Sequence, residues 1–211
     1  MKIRKDLPKP TLDAARKLIE RFEADNRAVE HGLTELIQAF PNNSDLGHVL
    51  VKVAAINGLY ATAILGLFPV AELITGADID PLLETGDPQA IEKIAKVSYA
   101  DKTRWNYSFA TKYCSWHRPD MYPMFDSRVD FCLRSYQASD PFSKFKQEDL
   151  WNYEKFRTII KAFQSHYGLG GLTFKQLDEF LYQLGNEYFS DRPDVPSMTS
   201  PDAAAPTTSS A

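Results

Sequence analysis

Residues 108–129 read SFATKYCSWHRPDMYPMFDSRV, and the punctuation of this stretch decides the fold. Lys112 follows Ser108 by four positions, so on a helix the hydroxyl and the amine share one face. Pro119 and Pro123 cannot continue that helix and hold the residues before them extended. The chain must turn back before Asp126, a preferred helix-starting residue, opens a second helix. A hydroxyl, an amine and a carboxylate can thereby meet at one spot. Taken singly, each has an ordinary use: Asp126 as a helix cap, Lys112 as a solvated surface residue.

Working outward, the chain reads as helices throughout. Residues 12–40 place apolar side chains at helical spacing (Leu12, Ala15, Leu18, Ile19, Phe22, then Val29, Leu33, Leu36, Ile37, Phe40), which predicts two amphipathic helices or one bent helix, with Gly32 as the weak point. His31 there is ordinary. Ser44 and Asp45 are N-cap candidates for the next helix. Residues 47–74 are the most apolar stretch and read as a central buried helix. Lys52 and Asn57 interrupt it and Pro69 breaks it, which argues against a membrane span. Its polar members are informative, because a buried polar group needs a partner. Asn57 and Tyr60 could face a pocket or serve a helix end and the core. Lys52 could reach phosphate or a base, or snorkel at the helix flank.

Short helices punctuated by Gly76, Pro81, Gly86 and Pro88 come after it, and no strand pattern of convincing length is present. After the Asp126 helix, residues 151–166 form another amphipathic pattern stopped by the glycines of YGLGG. Thr173 and Gln176 read as the capping box of a last helix. This carboxyl-terminal pair, dense in aromatics, reads as scaffold. The fold class is all-α, a compact helical bundle: an arm over 1–10, a single helical domain over 11–189, and a disordered tail over 190–211.

Composition narrows the function. With 211 residues, 44% of them hydrophobic, the chain can bury a substantial core. Two cysteines, Cys114 and Cys132, are too few for a four-cysteine cluster or zinc site, and no metal or other cofactor is expected. No signal-peptide pattern opens the chain, which predicts reduced thiols in a cytoplasmic protein. The formal charge of −4 argues mildly against nucleic acid. Its distribution argues the other way: residues 93–134 hold eight Lys and Arg against four Asp, a local excess of four on the segment that carries the candidate site.

The Ser108 to Asp126 spacing and the YPMFDSRV context resemble the catalytic segment of the helix-hairpin-helix (HhH-GPD) DNA glycosylase superfamily, nearest to its small bacterial 8-oxoguanine-glycosylase-like proteins. In that register Ser108 stands where bifunctional members carry a Schiff-base lysine and an adenine-removing branch carries serine. Asp126 stands on the catalytic aspartate and Lys112 on a lysine of the small bacterial families. The resemblance implies a bundle without an iron-sulfur cluster, double-stranded DNA with a damaged or modified base as partner, and Asn57, Tyr60 and Lys52 at the base pocket. The family hairpin reads Leu-Pro-Gly-x-Gly, whereas ADKTRWNYS here has no glycine. Phosphate would fall to Lys102, Thr103 and Arg104, and DNA also to Arg128, which could instead pair with Asp130 or another acid.

The chemistry so implied is extrusion of a nucleotide and cleavage of its N-glycosidic bond, with Asp126 facing the positive charge that develops on the sugar. Water attack leaves an abasic site. Attack by a free Lys112 amine would instead give a Schiff base and permit strand cleavage. Two other readings stand beside this one: a non-catalytic helical module binding DNA or a protein, and a defence factor that removes a bulky modified base from viral DNA.

Overall fold

The computed structural model describes residues 3–100 and 102–188. The stretch expected to be a disordered tail lies outside the described residues. Nine α-helices and one two-stranded ribbon make up the described chain: α1 (Leu12–Ala39), α2 (Leu46–Tyr60), α3 (Leu67–Gly76), α4 (Asp80–Thr85), α5 (Gln89–Ala95), β1 (Lys96–Tyr99), β2 (Lys102–Trp105), α6 (Tyr107–His117), α7 (Ser127–Ser139), α8 (Tyr153–His166) and α9 (Phe174–Tyr188). The class is all-α apart from that ribbon. None of these helices is long and apolar enough to cross a membrane.

Local chemistry sets the boundaries. Thr11, Asp45, Asp126 and Asn152 each accept a backbone N–H of the helix they start, which satisfies donors that the first turn leaves orphaned. Thr173 and Gln176 exchange reciprocal bonds, Thr173 N to Gln176 Oε1 at 3.0 Å and Gln176 N to Thr173 Oγ1 at 3.2 Å. Gly168 ends the turn after α8 with φ of +67°. One apolar cluster runs from Ala15 to Leu184 and draws on every helix. The first helix packs on the last, α1 against α9, and α9 lies along α7. Gly185 permits that approach: a Cβ there would stand 2.6 Å from Arg128 Cβ. The arm is pinned to the same face by Tyr136 Oη donating to Pro8 O at 2.8 Å and by Arg4 N donating to Ser135 Oγ at 3.2 Å.

Of the two forms expected for the residue 12–40 pattern, the single helix is the one present, 28 residues long and passing through Gly32. Three expectations need correction. The apolar stretch 47–74 is two helices, and the break falls at 61–66, ahead of Pro69, which sits inside the first turn of α3. Ala61 and Ala63 take left-handed conformations there, with φ of 47° and 54°. Residue type gives no hint of this, since alanine is a good helix former. The segment expected to be a helical hairpin loop is instead the ribbon, antiparallel with Lys96 opposite Trp105 and Tyr99 opposite Lys102. Finally, Trp151 ends a separate 3-10 turn, Gln147–Trp151, and α8 starts only at Tyr153.

Candidate active site

The Pro-flanked passage between α6 and α7 is held in place by hydroxyls. Thr111 Oγ1 accepts from Phe125 N at 3.0 Å. Tyr153 Oη donates to Pro123 O at 3.1 Å, and Tyr122 Oη donates to Leu82 O and Asp87 O, both at 2.9 Å. Buried hydroxyls that find carbonyl partners fix the backbone they bind, since breaking such a bond leaves an unsatisfied buried group. The passage is therefore anchored to α4, α6 and α8, and it delivers Asp126 to a defined position.

That position is the wall of a cavity of about 510 Å³ shared by Ser108, Lys112, Asp126 and Tyr60. Asp126 Oδ1 accepts from Arg128 N at 2.8 Å and Val129 N at 3.0 Å. Its other oxygen, Oδ2, lies 3.9 Å from Lys112 Nζ, and the two side chains are only 13% and 5% exposed. Lys112 Nζ donates to Ser108 Oγ at 2.8 Å and to Phe125 O at 3.4 Å, and stands 5.7 Å from the centre of the Tyr60 ring. Tyr60 Oη accepts from Trp116 Nε1 at 3.1 Å. Burial first, then the carboxyls of Glu30 and Asp178, raise the Tyr60 phenol above its ordinary value, so it keeps its proton. The cap thus does two things: it places the acid at a helix N-terminus, where the dipole favours negative charge, and it leaves one carboxylate oxygen turned towards the amine.

Two residues assigned to the base pocket are elsewhere. Lys52 is fully buried on another side of α2. Its amine donates to Phe40 O at 3.0 Å, Asn42 O at 2.9 Å and Asn43 Oδ1 at 2.7 Å. Asn43 in turn donates through N and Nδ2 to the Asp80 carboxylate, at 2.9 and 2.5 Å. This polar knot ties the end of α1 to α2 and α4, and burial pushes the Lys52 amine down to about 8. His117 Nε2 lies 3.4 Å from that amine, and burial, then Lys52, lower its imidazole to about 3. Asn57 serves the helix end: its Oδ1 accepts from Thr62 Oγ1 at 2.8 Å and Ile64 N at 3.2 Å, closing the left-handed turn at Ala61.

The remaining basic residues divide. Lys102, Thr103 and Arg104 are exposed along β2, ending in Trp105, which is 43% exposed. Arg128 stands at the cavity wall, donating from Nε to Asn186 Oδ1 at 2.9 Å and lying 5.3 Å from the Tyr182 ring centre. Its neighbour Asp130 pairs with Arg134, at 2.5 Å. Asp130 belongs to the same stretch, so this pair leaves the net positive excess of residues 93–134 unchanged.

The scaffold reading of the carboxyl-terminal helices was incomplete. Asp178 and Tyr182, one turn apart on α9, line the same cavity, and Trp151 stands at its wall, 48% exposed and 5.1 Å from Phe125, ring centre to ring centre. Asp178 Oδ1 is shut from solvent without a hydrogen-bond partner among the described residues. Burial, and then the Asp126 carboxylate, hold its carboxyl well above the usual range against the pull of Lys112. A second cavity of about 420 Å³, walled by Asp80, His117, Arg118 and Lys175 among others, contains none of Ser108, Lys112 and Asp126.

A mostly helical chain with a half-enclosed, carboxylate-bearing cavity is thus the class that the coordinates define. A family model described as HI_0787_N, N-terminal domain, matches residues 14–121. An uncharacterized protein of Haemophilus influenzae (strain ATCC 51907 / DSM 11121 / KW20 / Rd) is 38% identical over 142 residues, 67% of this chain and 68% of that protein. The chain belongs to this HI_0787_N family. No solved structure matches it.

Proposed function

We propose that the protein is a DNA glycosylase-like hydrolase that accepts an extruded, damaged or modified base and cleaves its N-glycosidic bond, on a bundle of the HhH-GPD type. The observation that carries this reading is the 3.9 Å approach of Asp126 Oδ2 to the Lys112 amine inside a cavity of about 510 Å³. A carboxylate fixed by its own helix and turned into a pocket is suited to face the positive charge that grows on C1′ as the base departs. Trp151 and Tyr182 line the same cavity, and aromatic side chains can stack on a base without regard to sequence. The exposed cations of β2 would hold phosphate in place of a glycine hairpin.

The attacking group is water in this reading. Lys112 Nζ already spends hydrogens on Ser108 Oγ and Phe125 O, so it orients the acid and the water and the product is an intact abasic site. Removal of a bulky modification from viral DNA is the variant of this reading that the size of the cavity accommodates. The test is release of free base from duplex oligonucleotides, each carrying one altered base, and from glucosylated phage DNA. Release by the native protein and its loss in Asp126→Asn support the proposal; no release from any of these substrates leaves a non-catalytic helical binding module.

A further inference from the structure

One carboxyl of the cavity is held by no ion pair among the described residues. Asp126 caps α7, Lys112 bonds Ser108, Tyr60 bonds Trp116, and Arg128 bonds Asn186. Glu30, Asp130 and Asp178 each have an oxygen shut from solvent without a hydrogen-bond partner among the described residues, but Glu30 pairs with Lys175 and Asp130 with Arg134, and Asp178 is left. An unsatisfied buried carboxyl costs about 1–3 kcal/mol. A position on an exposed face of α9 would avoid that cost, and α9 has such a face: Glu187, further along it, pairs with Arg21 at the surface. A carboxyl kept in a cavity at that cost is placed for a group that enters the cavity.

Its surroundings decide which form it holds. The charged and titratable groups that act on it or share its cavity are Asp126, Arg128 and Asp130 from α7 and its cap, Lys112 from α6, Tyr60 from α2, Glu30 from α1, and Lys175, Glu179 and Tyr182 from its own helix. Lys175 is engaged with Glu30 and Glu179. Lys112 is shared with Asp126. Carboxyls that crowd a shared amine do not all hold charge equally well, and one of them can keep its proton. Asp126 has two backbone N–H donors and a helix N-terminus, which favour negative charge there; Asp178 has neither.

We propose that Asp178 is the general acid of this cavity, delivering its proton to the departing base, and that the substrate is therefore a base uncharged in the nucleotide, presenting an acceptor nitrogen or oxygen towards α9. The inference rests on the glycosylase reading above. In the step, the C1′–N bond breaks and its electron pair stays with the base. The Asp178 proton passes to the acceptor atom of that base, which leaves neutral. Water adds to C1′ opposite the departing base and gives its proton to Asp126. Solvent returns a proton to Asp178 and takes one from Asp126 once the base has left. A base already cationic, such as an N7-alkylated purine, needs no such proton.

The experiment uses the full chain and duplexes that each carry one neutral altered base (8-oxoguanine, hypoxanthine, uracil or 5-hydroxymethylcytosine) or the cationic 7-methylguanine. The native protein releases at least one neutral base. Asp178→Asn, which keeps the shape and a hydrogen-bond donor but has no acidic proton, slows that release by about 100-fold or more, the usual share of general acid catalysis, and slows any release of 7-methylguanine by less than that. Retention of neutral-base release within tenfold overturns the role of Asp178 and leaves the glycosylase reading standing. Action on 7-methylguanine alone overturns it as well. No release of any base by the native protein removes the glycosylase reading itself. An infrared spectrum at pH 7 gives a check independent of activity and of how the variant folds: with ¹³C-labelled aspartate, the native protein shows the carbonyl band of a protonated carboxyl, and its absence overturns the assignment.

Discussion

Asp126 Oδ1 is held by two backbone N–H groups of α7, while Asp126 Oδ2, 3.9 Å from Lys112 Nζ, is turned into the cavity. One carboxylate therefore has a capping half and, in the proposed reaction, a chemical half, and the two can be separated by substitution.

An amide oxygen can keep the cap but not the charge. Asp126→Asn is expected to change stability by less than about 1 kcal/mol, read as the denaturation midpoint, because Asn and Asp cap equally well. Base release is expected to fall by about 10²–10³-fold, the effect of losing one electrostatic stabiliser of a transition state. Equal activity of the variant and the native protein would remove Asp126 from the chemistry.

The role of Lys112 is read by borohydride trapping on abasic duplex. With water as nucleophile, no covalent protein–DNA adduct forms, and the product strand stays intact until heated in alkali. An adduct that disappears in Lys112→Gln would reassign the amine as the nucleophile and the protein as a lyase.

The ribbon is expected to hold phosphate. Lys102 and Arg104 are exposed on β2, so each replacement by Ala should lower the slope of log affinity against log salt by about 1, without changing which base is released. Fluorescence anisotropy on a duplex measures the slope, and the release assay reads the base. An unchanged slope places the DNA on another face.

His117 makes the fold sensitive to acid. Its imidazole, held at about 3 by burial and by Lys52 against an ordinary 6.5, stays neutral in the folded chain. Between these values the unfolded chain binds a proton that the folded one does not. Stability contributed by the neutral ring is thus present above 6.5 and is lost as pH falls towards 3. Melting temperature plotted against pH over this window should be flatter for His117→Gln than for the native protein.

The central stretch was legible because its determinants are local. Four-residue spacing puts Ser108 and Lys112 on one face, and two prolines with an aspartate define a turn and a helix start in any context. The apolar helix was less so. Asn57 and Lys52 are polar residues in an apolar run, a pattern that marks burial but does not tell a cavity from a backbone partner. Both proved to serve backbone carbonyls or amides. Asp178 was hidden for the opposite reason: an acid on an amphipathic helix reads as its solvated face, and only the packing of α9 against α1 and α7 turns it inward. The ribbon escaped because KVSY and KTRW are four residues each, too short for alternation to show.

The family match ends at residue 121, five positions short of Asp126, and Arg128, Asp178 and Tyr182 lie further on. Sequence kinship along that boundary does not follow a seam in the architecture, since α1 leans on α9 and a single apolar cluster crosses it. Recombination that grafted residues 14–121 onto a foreign partner would inherit the amine without its acid.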